Sequence, residues 1–375
     1  MIRIATIVGA RPQFVKAAVL SRAFAACPDM EEFLIHTGQH YDYGMSEVFF
    51  EEMEIPHPRY NLGINAQSKA GESHASLLGD MLIGIDAVLR QEKPDWVLVY
   101  GDTDSTLAGA LAANKNGIPL VHVEAGLRSF NTAMPEENNR VLTDHLASLL
   151  FCPTEQAVRN LERENIGAWS RKVFRTGDVM LDAALYYGNR ADSGRSGSSH
   201  REEGVLPLPL PERFVLCTMH RNENTGNMAV LKELLGALEE VSLSMPLLMP
   251  LHPGTRQRMI SVGFDFEKTH IRFCEPVSYL RMLQLLRSCA FVMTDSGGLQ
   301  KEACFFGKYC LTLREETEWV ELVEKGFNTL VGHRKEMITG QALRLWKEHP
   351  PVFQTDLYGN GHTGEDIVRI IRENS

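Results

Sequence analysis

Short apolar runs alternate with helix-length segments along almost the whole chain, and no other feature restricts the fold as strongly. IRIATIV precedes a helical stretch from Pro12 to Ala26. EEFLIHTG, a helix near 71–91, DWVLVYG, a helix near 105–115 and PLVHVEAG follow. This order is the pattern of parallel βαβ units in a doubly wound sheet. After the helix-like GDVMLDAALYYG the pattern lapses into RADSGRSGSSHREEG, residues 190–204, whose Ser, Gly and charge content predicts a linker or mobile loop. It restarts with RFVLCTMH, a helix near 227–243, PLLMPLHPG, IRFCEPV, AFVMTDSGG and KYCLTL. The 375 residues suffice for two such domains. The expected class is α/β, with two Rossmann-like doubly wound domains facing each other across a cleft.

Polar side chains gather where these strands end. Arg11 follows the first strand, Asp102 the WVLVY strand, Glu124 the PLVHV strand and His220 the FVLCTM strand, while His252 and Ser296 follow two more. Ligands of open α/β sheets bind outside the carboxyl ends of the strands. Asp102 in DWVLVYGDTDST could simply cap the next helix. Six polar strand ends in two domains favour a site instead.

Composition removes several functions. A net charge of −10 argues against a nucleic-acid surface, and any anionic substrate must meet a locally basic site. The longest apolar runs fall well short of the roughly 20 residues of a membrane span, and MIRIATIVGAR reads as a strand rather than a signal peptide. Seven cysteines without a CxxC pair predict reduced core thiols in a cytoplasmic protein. Neither HExxH nor another metal spacing is present, and neither GxGxxG after the first strand nor a P-loop, so no metal, nicotinamide or ATP site is expected.

Four segments carry chemistry. TDSGGLQKEA, residues 294–303, joins a strand to a helix through Ser296, Gly297 and Gly298, where backbone N–H groups and the helix dipole favour a phosphate. Glu302, one turn on, suits ribose hydroxyls; a Ser-capped helix with a surface Glu is the plainer alternative. GARPQFVKA puts Arg11 and Lys16 at the start of the first helix, unfavourable for the dipole unless an anion binds there; solvated surface charge is the alternative. HVEAGLRSFNTAMPEENNRVLTD holds Glu124, Arg128, Glu136, Glu137, Asn139 and Arg140; Glu136 and Arg140, four apart, could form a surface ion pair. MHRNEN offers His220, a proton donor or a structural histidine, beside Arg221.

Together, GARPQFVKA, YGDT, HVEAGLR, MPEENNR, HRNEN, TDSGGLQKEA and YGNGHTGEDI resemble the non-hydrolysing UDP-N-acetylglucosamine 2-epimerase family over nearly the whole chain. The resemblance implies the glycosyltransferase-B architecture, with UDP in the cleft and the last helix crossing back to the first domain. Domains are then expected at 1–178 with 358–375, and at 205–357. It implies cofactor-free epimerisation at C2 by elimination of UDP to a 2-acetamidoglucal and re-addition, in surface polysaccharide synthesis. By motif, Asp102, Glu124 and Glu136 match the catalytic acids and His220 the catalytic histidine, placed on the leaving diphosphate. Arg11, Lys16 and Arg140 would stabilise departing UDP. Asn139, Arg221, His252, Ser296, Gly297, Gly298, Glu302, Thr317 and Glu318 complete the implied substrate site. A homodimer, with no membrane or nucleic-acid partner, is also implied. A hydrolysing 2-epimerase, a glycosyltransferase and a silent UDP-sugar binder share enough of this pattern to stand as alternatives.

Two segments depart from the common pattern. YDYGMSE, residues 41–47, stands where many bacterial relatives carry an arginine associated with an activating second UDP-sugar site, so such activation is not expected. LREETEWVE places Trp319 where commoner members have a substrate-contacting arginine. With GARPQF and STLAGALAA, both look like the branch acting on UDP-2,3-diacetamido-2,3-dideoxyglucuronate. That substrate adds a carboxylate, for which Arg128, Arg221 and Arg314 are candidates; plain UDP-N-acetylglucosamine is the alternative.

Overall fold

A computed structural model describes residues 1–39, 50, 53–64, 73–169, 171–192, 210–348 and 356–375. It divides into two units, Met1–Leu185 with Asp356–Ser375, and Tyr186–Thr355. The segment YDYGMSE lies outside the described residues, as do residues 193–204 of the expected linker.

The first unit contains strands β1 (Ile2–Val8), β2 (Met30–His36), β3 (Tyr60–Asn61), β4 (Trp96–Tyr100), β5 (Leu120–Val123), β6 (Leu149–Cys152) and β7 (Lys172–Arg175). They form one parallel sheet in the order β3-β2-β1-β4-β5-β6-β7. All five residues of β4 are buried, as expected of a central parallel strand covered on both faces. The helices are α1 (Arg11–Ala25), α2 (His74–Glu92), α3 (Asp104–Lys115), α4 (Pro135–Leu146), α5 (Glu155–Arg163) and α6 (Val179–Asp192). In α2, Ser73 caps the first turn by accepting from the Ser76 N–H at 3.2 Å. Its buried Leu77, Met81, Ile85 and Leu89 recur every four residues, the stripe that fixes it to the sheet.

The second unit repeats this order. Strands β8 (Val215–Thr218), β9 (Leu247–Pro250), β10 (Arg272–Cys274), β11 (Phe291–Thr294), β12 (Cys310–Thr312) and β13 (Asn328–Leu330) run β10-β9-β8-β11-β12-β13, all parallel. Its helices are α7 (Asn222–Thr225), α8 (Met228–Ser244), α9 (Pro253–Ser261), α10 (Tyr279–Ser288), α11 (Gly297–Phe305), α12 (Val320–Glu324) and α13 (Lys335–Glu348). Leu234, Leu238 and Ile338 close the core over Val215 and Leu311. Helix α14 (Thr363–Glu373) belongs to the first unit, where it packs on α1 and its Gly364 N–H donates to Asp182 at 2.8 Å.

Strands β3, β6, β7 and β13, of two to four residues each, had no sequence expectation. The break between units falls inside α6, not before it, and residues 190–192 complete that helix rather than opening a linker.

Both sheets have their topological switch point where the first strand meets the fourth, β1 beside β4 and β8 beside β11. In the first unit Gln13 ties this point together. Its Oε1 accepts from the Gly9 and Ala10 N–H groups at 2.8 and 3.0 Å, and its Nε2 donates to the Tyr100 carbonyl at 3.0 Å.

A pH dependence follows from β2. Burial pushes the Glu32 carboxyl up to about 7, against a hydrogen bond from Thr6 Oγ1 at 2.6 Å. Its folded value lies above the unfolded 4.5, so its stabilising contribution is full below 4.5 and is lost as pH rises through about 7. Glu32→Gln removes the titration. The variant should gain about 2–3 kcal/mol over the parent between pH 5 and pH 8 in urea unfolding. Equal stability differences at the two pH values would contradict this.

Candidate functional site

Two adjacent strand ends of the first unit each carry a carboxylate with its own cation. Tyr100 of β4 is paired with Val123 of β5, and the Gly101 N–H donates to the Val123 carbonyl at 3.0 Å. Beyond that rung the chain turns through a left-handed residue on both strands, Gly101 at φ +63° and Glu124 at φ +73°. Gly101 tolerates this conformation; Glu124 is strained by it, and such strain concentrates at functional sites. The Glu124 and Ala125 N–H groups both donate to the Phe151 carbonyl, at 3.1 and 3.0 Å, which holds the turn.

Lys16 Nζ donates to Glu124 Oε1 at 2.7 Å; the lysine is buried and the glutamate side chain is 10% exposed. The lysine is therefore not a solvated surface charge, and Glu124 supplies the counter-charge its helix position demands. The Arg11 side chain lies outside the described residues.

Asp102 does not cap α3. Thr103 does, its Oγ1 accepting from the Thr106 N–H at 3.4 Å. The Asp102 carboxylate instead receives Arg140, through Nε at 3.1 Å and through Nη2. Arg140 Nη1 donates to Glu137 at 2.8 Å, so the buried carboxylate in the first turn of this helix is Glu137, while its neighbour Glu136 is exposed. Asn139 Nδ2 donates to the Asp102 carbonyl and to Asp104 Oδ1, both at 3.0 Å. The buried residues of α4 are Glu137, Asn139, Arg140, Thr143 and Asp144. The inward stripe of this helix is therefore polar rather than apolar.

Arg128 is overturned as a candidate for a substrate carboxylate. Its guanidinium is buried and engaged, by Glu164 at 2.6 and 2.8 Å, by Asp144 at 2.7 Å and by the Leu127 carbonyl at 2.6 Å.

In the second unit, a fully buried carboxylate organises the β8 and β11 ends. Asp295 accepts from the His220 N–H at 3.1 and 3.0 Å, the Arg221 N–H at 2.9 Å and Asn224 Nδ2 at 3.1 Å. His220 Nδ1 lies 3.4 Å from Asp295, with about half of its ring exposed. Desolvation lowers the His220 pKa; Asp295 opposes the shift, and Arg221 and His252 reinforce it. His252 is the N-cap of α9, its Nδ1 accepting from the Gly254 N–H at 3.2 Å.

Ser296 caps α11, accepting from the Leu299 N–H at 3.4 Å. Glu302 is buried on this helix, not a surface residue. A Cβ at Gly297 would lie 2.1 Å from Glu318 Oε1, so only glycine lets Glu318 approach the helix start. Gly298 has open surroundings by comparison, with only Ser296 Oγ at 4.0 Å from such a Cβ. Thr317 Oγ1 donates to Gln300 at 2.8 Å, and the Lys301 ammonium sits 4.1 Å from the Trp319 ring centroid. Arg314 Nη1 donates to Glu318 at 2.9 Å, while its Nε and Nη2 are buried without a hydrogen-bond partner.

Asp144, Gln13 and Asp295 escaped the sequence reading, and Glu137 was noted there without a role. The spacing of Glu137, Arg140 and Asp144 along one helical stripe could have revealed Asp144 and the role of Glu137. Among the described residues, no group of three or more His, Cys, Asp or Glu side chains could hold a metal ion, and no helix is long and apolar enough to cross a membrane.

Two doubly wound parallel units with charged strand ends define the glycosyltransferase-B class of fold. The family model described as UDP-N-acetylglucosamine 2-epimerase matches residues 22–372. The chain is 45% identical to the UDP-2,3-diacetamido-2,3-dideoxy-D-glucuronate 2-epimerase of Pseudomonas aeruginosa, over 98% of this chain and 99% of that one. The UDP-GlcNAc 2-epimerase structure of Methanocaldococcus jannaschii, in complex with UDP-GlcNAc and UDP, superposes with a TM-score of 0.87 at 38% identity, covering 99% and 100% of the two chains. That of Neisseria meningitidis bound to UDP-GlcNAc gives 0.85 at 27%, covering 100% of each. The chain belongs to the UDP-N-acetylglucosamine 2-epimerase family.

Proposed function

We propose that this protein epimerises C2 of a UDP-2-acetamido sugar without a cofactor and retains UDP in the product. A base removes the C2 proton while the C1–O bond breaks, releasing UDP and a 2-acetamidoglucal. A proton then reaches C2 from the other face, and the UDP oxygen rejoins C1. No oxidant or reductant enters the balance.

The observation that carries this reading is the pair of strand-end carboxylates, Asp102 with Arg140 and Glu124 with Lys16. Two separately held carboxylates supply what proton transfer at two faces of one carbon needs, and the anion is the form that accepts the C2 proton. Lys16 and Arg140 are thereby assigned first to holding these bases, and with Arg11 to the charge on departing UDP. Glu136, exposed beside them, remains the third acid. His220 is assigned to the leaving diphosphate, with Arg221 and His252 beside it. Ser296 to Gly298 and Glu302 take the nucleotide, with Thr317 and Glu318.

The substrate is a UDP-2,3-diacetamido-2,3-dideoxyglucuronate, with UDP-N-acetylglucosamine as the second reading. The first is favoured by the 45% identity to the Pseudomonas enzyme and by the two buried, unpartnered N–H positions of Arg314. Such groups cost about 1–3 kcal/mol each when unsatisfied, and a carboxylate would satisfy them. Arg221 is the remaining candidate. We further place the protein in the cytoplasm as a homodimer serving polysaccharide synthesis; all seven cysteines are free thiols, which suits a reducing compartment.

Incubation of each UDP-sugar in deuterated water, followed by NMR, tests the reading. Deuterium at C2 with UDP still attached is the expected result. Accumulating free sugar and UDP would mean hydrolysis, and turnover only with an added acceptor would mean glycosyl transfer. A higher kcat/KM for plain UDP-N-acetylglucosamine would reverse the substrate assignment.

A further inference from the structure

The imidazole of His122, in the middle of the first unit's sheet, has no exposed surface and an acceptor at each nitrogen. Nδ1 lies 2.7 Å from Asp144 Oδ1, and Nε2 lies 2.8 Å from the Gly101 carbonyl oxygen. A carbonyl has no proton to give, so Nε2 carries one. Asp144 is an acceptor as well. Its Oδ2 takes the Gly126 N–H at 3.1 Å and Arg128 Nη1 at 2.7 Å. Burial alone would raise the Asp144 carboxyl, but His122 and Arg128 outweigh it and hold the group below its usual value.

We propose that His122 is a buried imidazolium, donating from both nitrogens, and that it positions the Gly101–Asp102 turn for proton transfer at C2. The proposal rests on the assignment of Asp102 as an acid/base group.

The surroundings balance this charge. His122 and Arg128 face Asp144, and Arg128 also faces Glu164 at the end of α5, so two cations meet two carboxylates. His145, half exposed, lies 3.3 Å from Glu164. Lys16 and Glu124 stand on the far side of Gly101 as a closed pair. From β6, Cys152 contributes a thiol that burial pushes well above its ordinary pKa and keeps neutral.

The geometry gives His122 a specific task. Gly101 is the left-handed residue through which β4 turns, and Asp102 is the next residue. The Gly101 N–H is held by the β5 backbone and its carbonyl by His122, so the two peptide planes that flank Gly101 are each fixed, the second being the one that leads into Asp102. On the same side of the network Asp144 holds Gly126, two residues beyond Glu124. One buried pair therefore fixes the turns that present both carboxylates. His122 touches neither substrate nor reacting atoms in this role; it is a positioning residue.

Histidine-selective 15N NMR of the whole ligand-free protein tests the charge without any substrate. Both His122 nitrogens should show attached protons at pH 8. An unprotonated Nδ1 would overturn the imidazolium and indicate a neutral ring accepting from a protonated Asp144. Asp144→Asn should return His122 to a neutral ring, and a doubly protonated ring in that variant would also count against the pairing. For the positioning role, His122→Gln should lower kcat about 10²-fold, with KM changed less than about threefold. A folded His122→Gln enzyme with undiminished kcat would overturn it. Should that variant not fold, Asp144→Asn carries the same kinetic expectation and the same overturning result. Failure of the parent protein to turn over any UDP-sugar would instead fault the assigned reaction and leave the NMR result standing.

Discussion

Asp102→Asn should lower the rate of deuterium incorporation at C2 by about 10³-fold, within the range for loss of a general acid/base group. Asparagine keeps the shape and one acceptor oxygen for Arg140, which still has Glu137 at 2.8 Å. The fold should therefore survive the change. The cation loses one carboxylate of two, at a site where the Asp102 side chain is 27% exposed, so a stability loss of only about 1–2 kcal/mol is expected. UDP affinity, measured by calorimetry, should stay within about twofold, since the uracil, ribose and diphosphate are assigned to other residues. Retention of rate to within about tenfold of the parent would remove Asp102 from proton transfer.

The second large effect is on stability. Asp295→Ala should reduce the unfolding free energy by about 3–5 kcal/mol, read as a shift of the urea midpoint. The carboxylate is wholly buried and accepts from two backbone N–H groups and the Asn224 amide, all within 3.1 Å. Alanine leaves the backbone donors of His220 and Arg221 without an acceptor, whereas Asn224 keeps the Leu313 carbonyl at 2.9 Å. Asparagine at the same position should also destabilise, because its amide places N–H groups against N–H groups. A loss below about 1 kcal/mol for Asp295→Ala would show that the loop reorganises and finds other acceptors. Since His220 hangs from this carboxylate, activity should fall with either substitution.

Much of the fold was legible because its signals are local. A run such as WVLVY is a strand because every position is apolar and the run is short, and the stripe in α2 is visible without knowing what it packs on. The strand-end residues were legible for a related reason: polarity at the end of an apolar run is out of place unless it is used. The partners were not legible. Asp102 and Arg140 are 38 residues apart, and Lys16 and Glu124 are 108 apart. Nothing in either segment names the other. The local alternatives failed at the same point: Thr103, not Asp102, accepts the helix N–H, and Glu137, not Glu136, is the carboxylate that Arg140 reaches on its own helix. Each differs from its rival by one position, and one position on a helix is a rotation of about 100°.

Two α/β units, their parallel sheets and the set of polar strand ends from which a site could be built follow from the chain alone. They do so because backbone geometry converts the period of apolar residues directly into element type. Which charges neutralise one another depends on the folded arrangement. Arg128, read as available for a substrate carboxylate, is committed to Asp144 and Glu164, whereas Arg314 retains two unpartnered N–H positions. A buried charge is useful to a ligand or spent within the fold according to what stands within about 3 Å of it in space, and the sheet brings together residues that the chain keeps far apart.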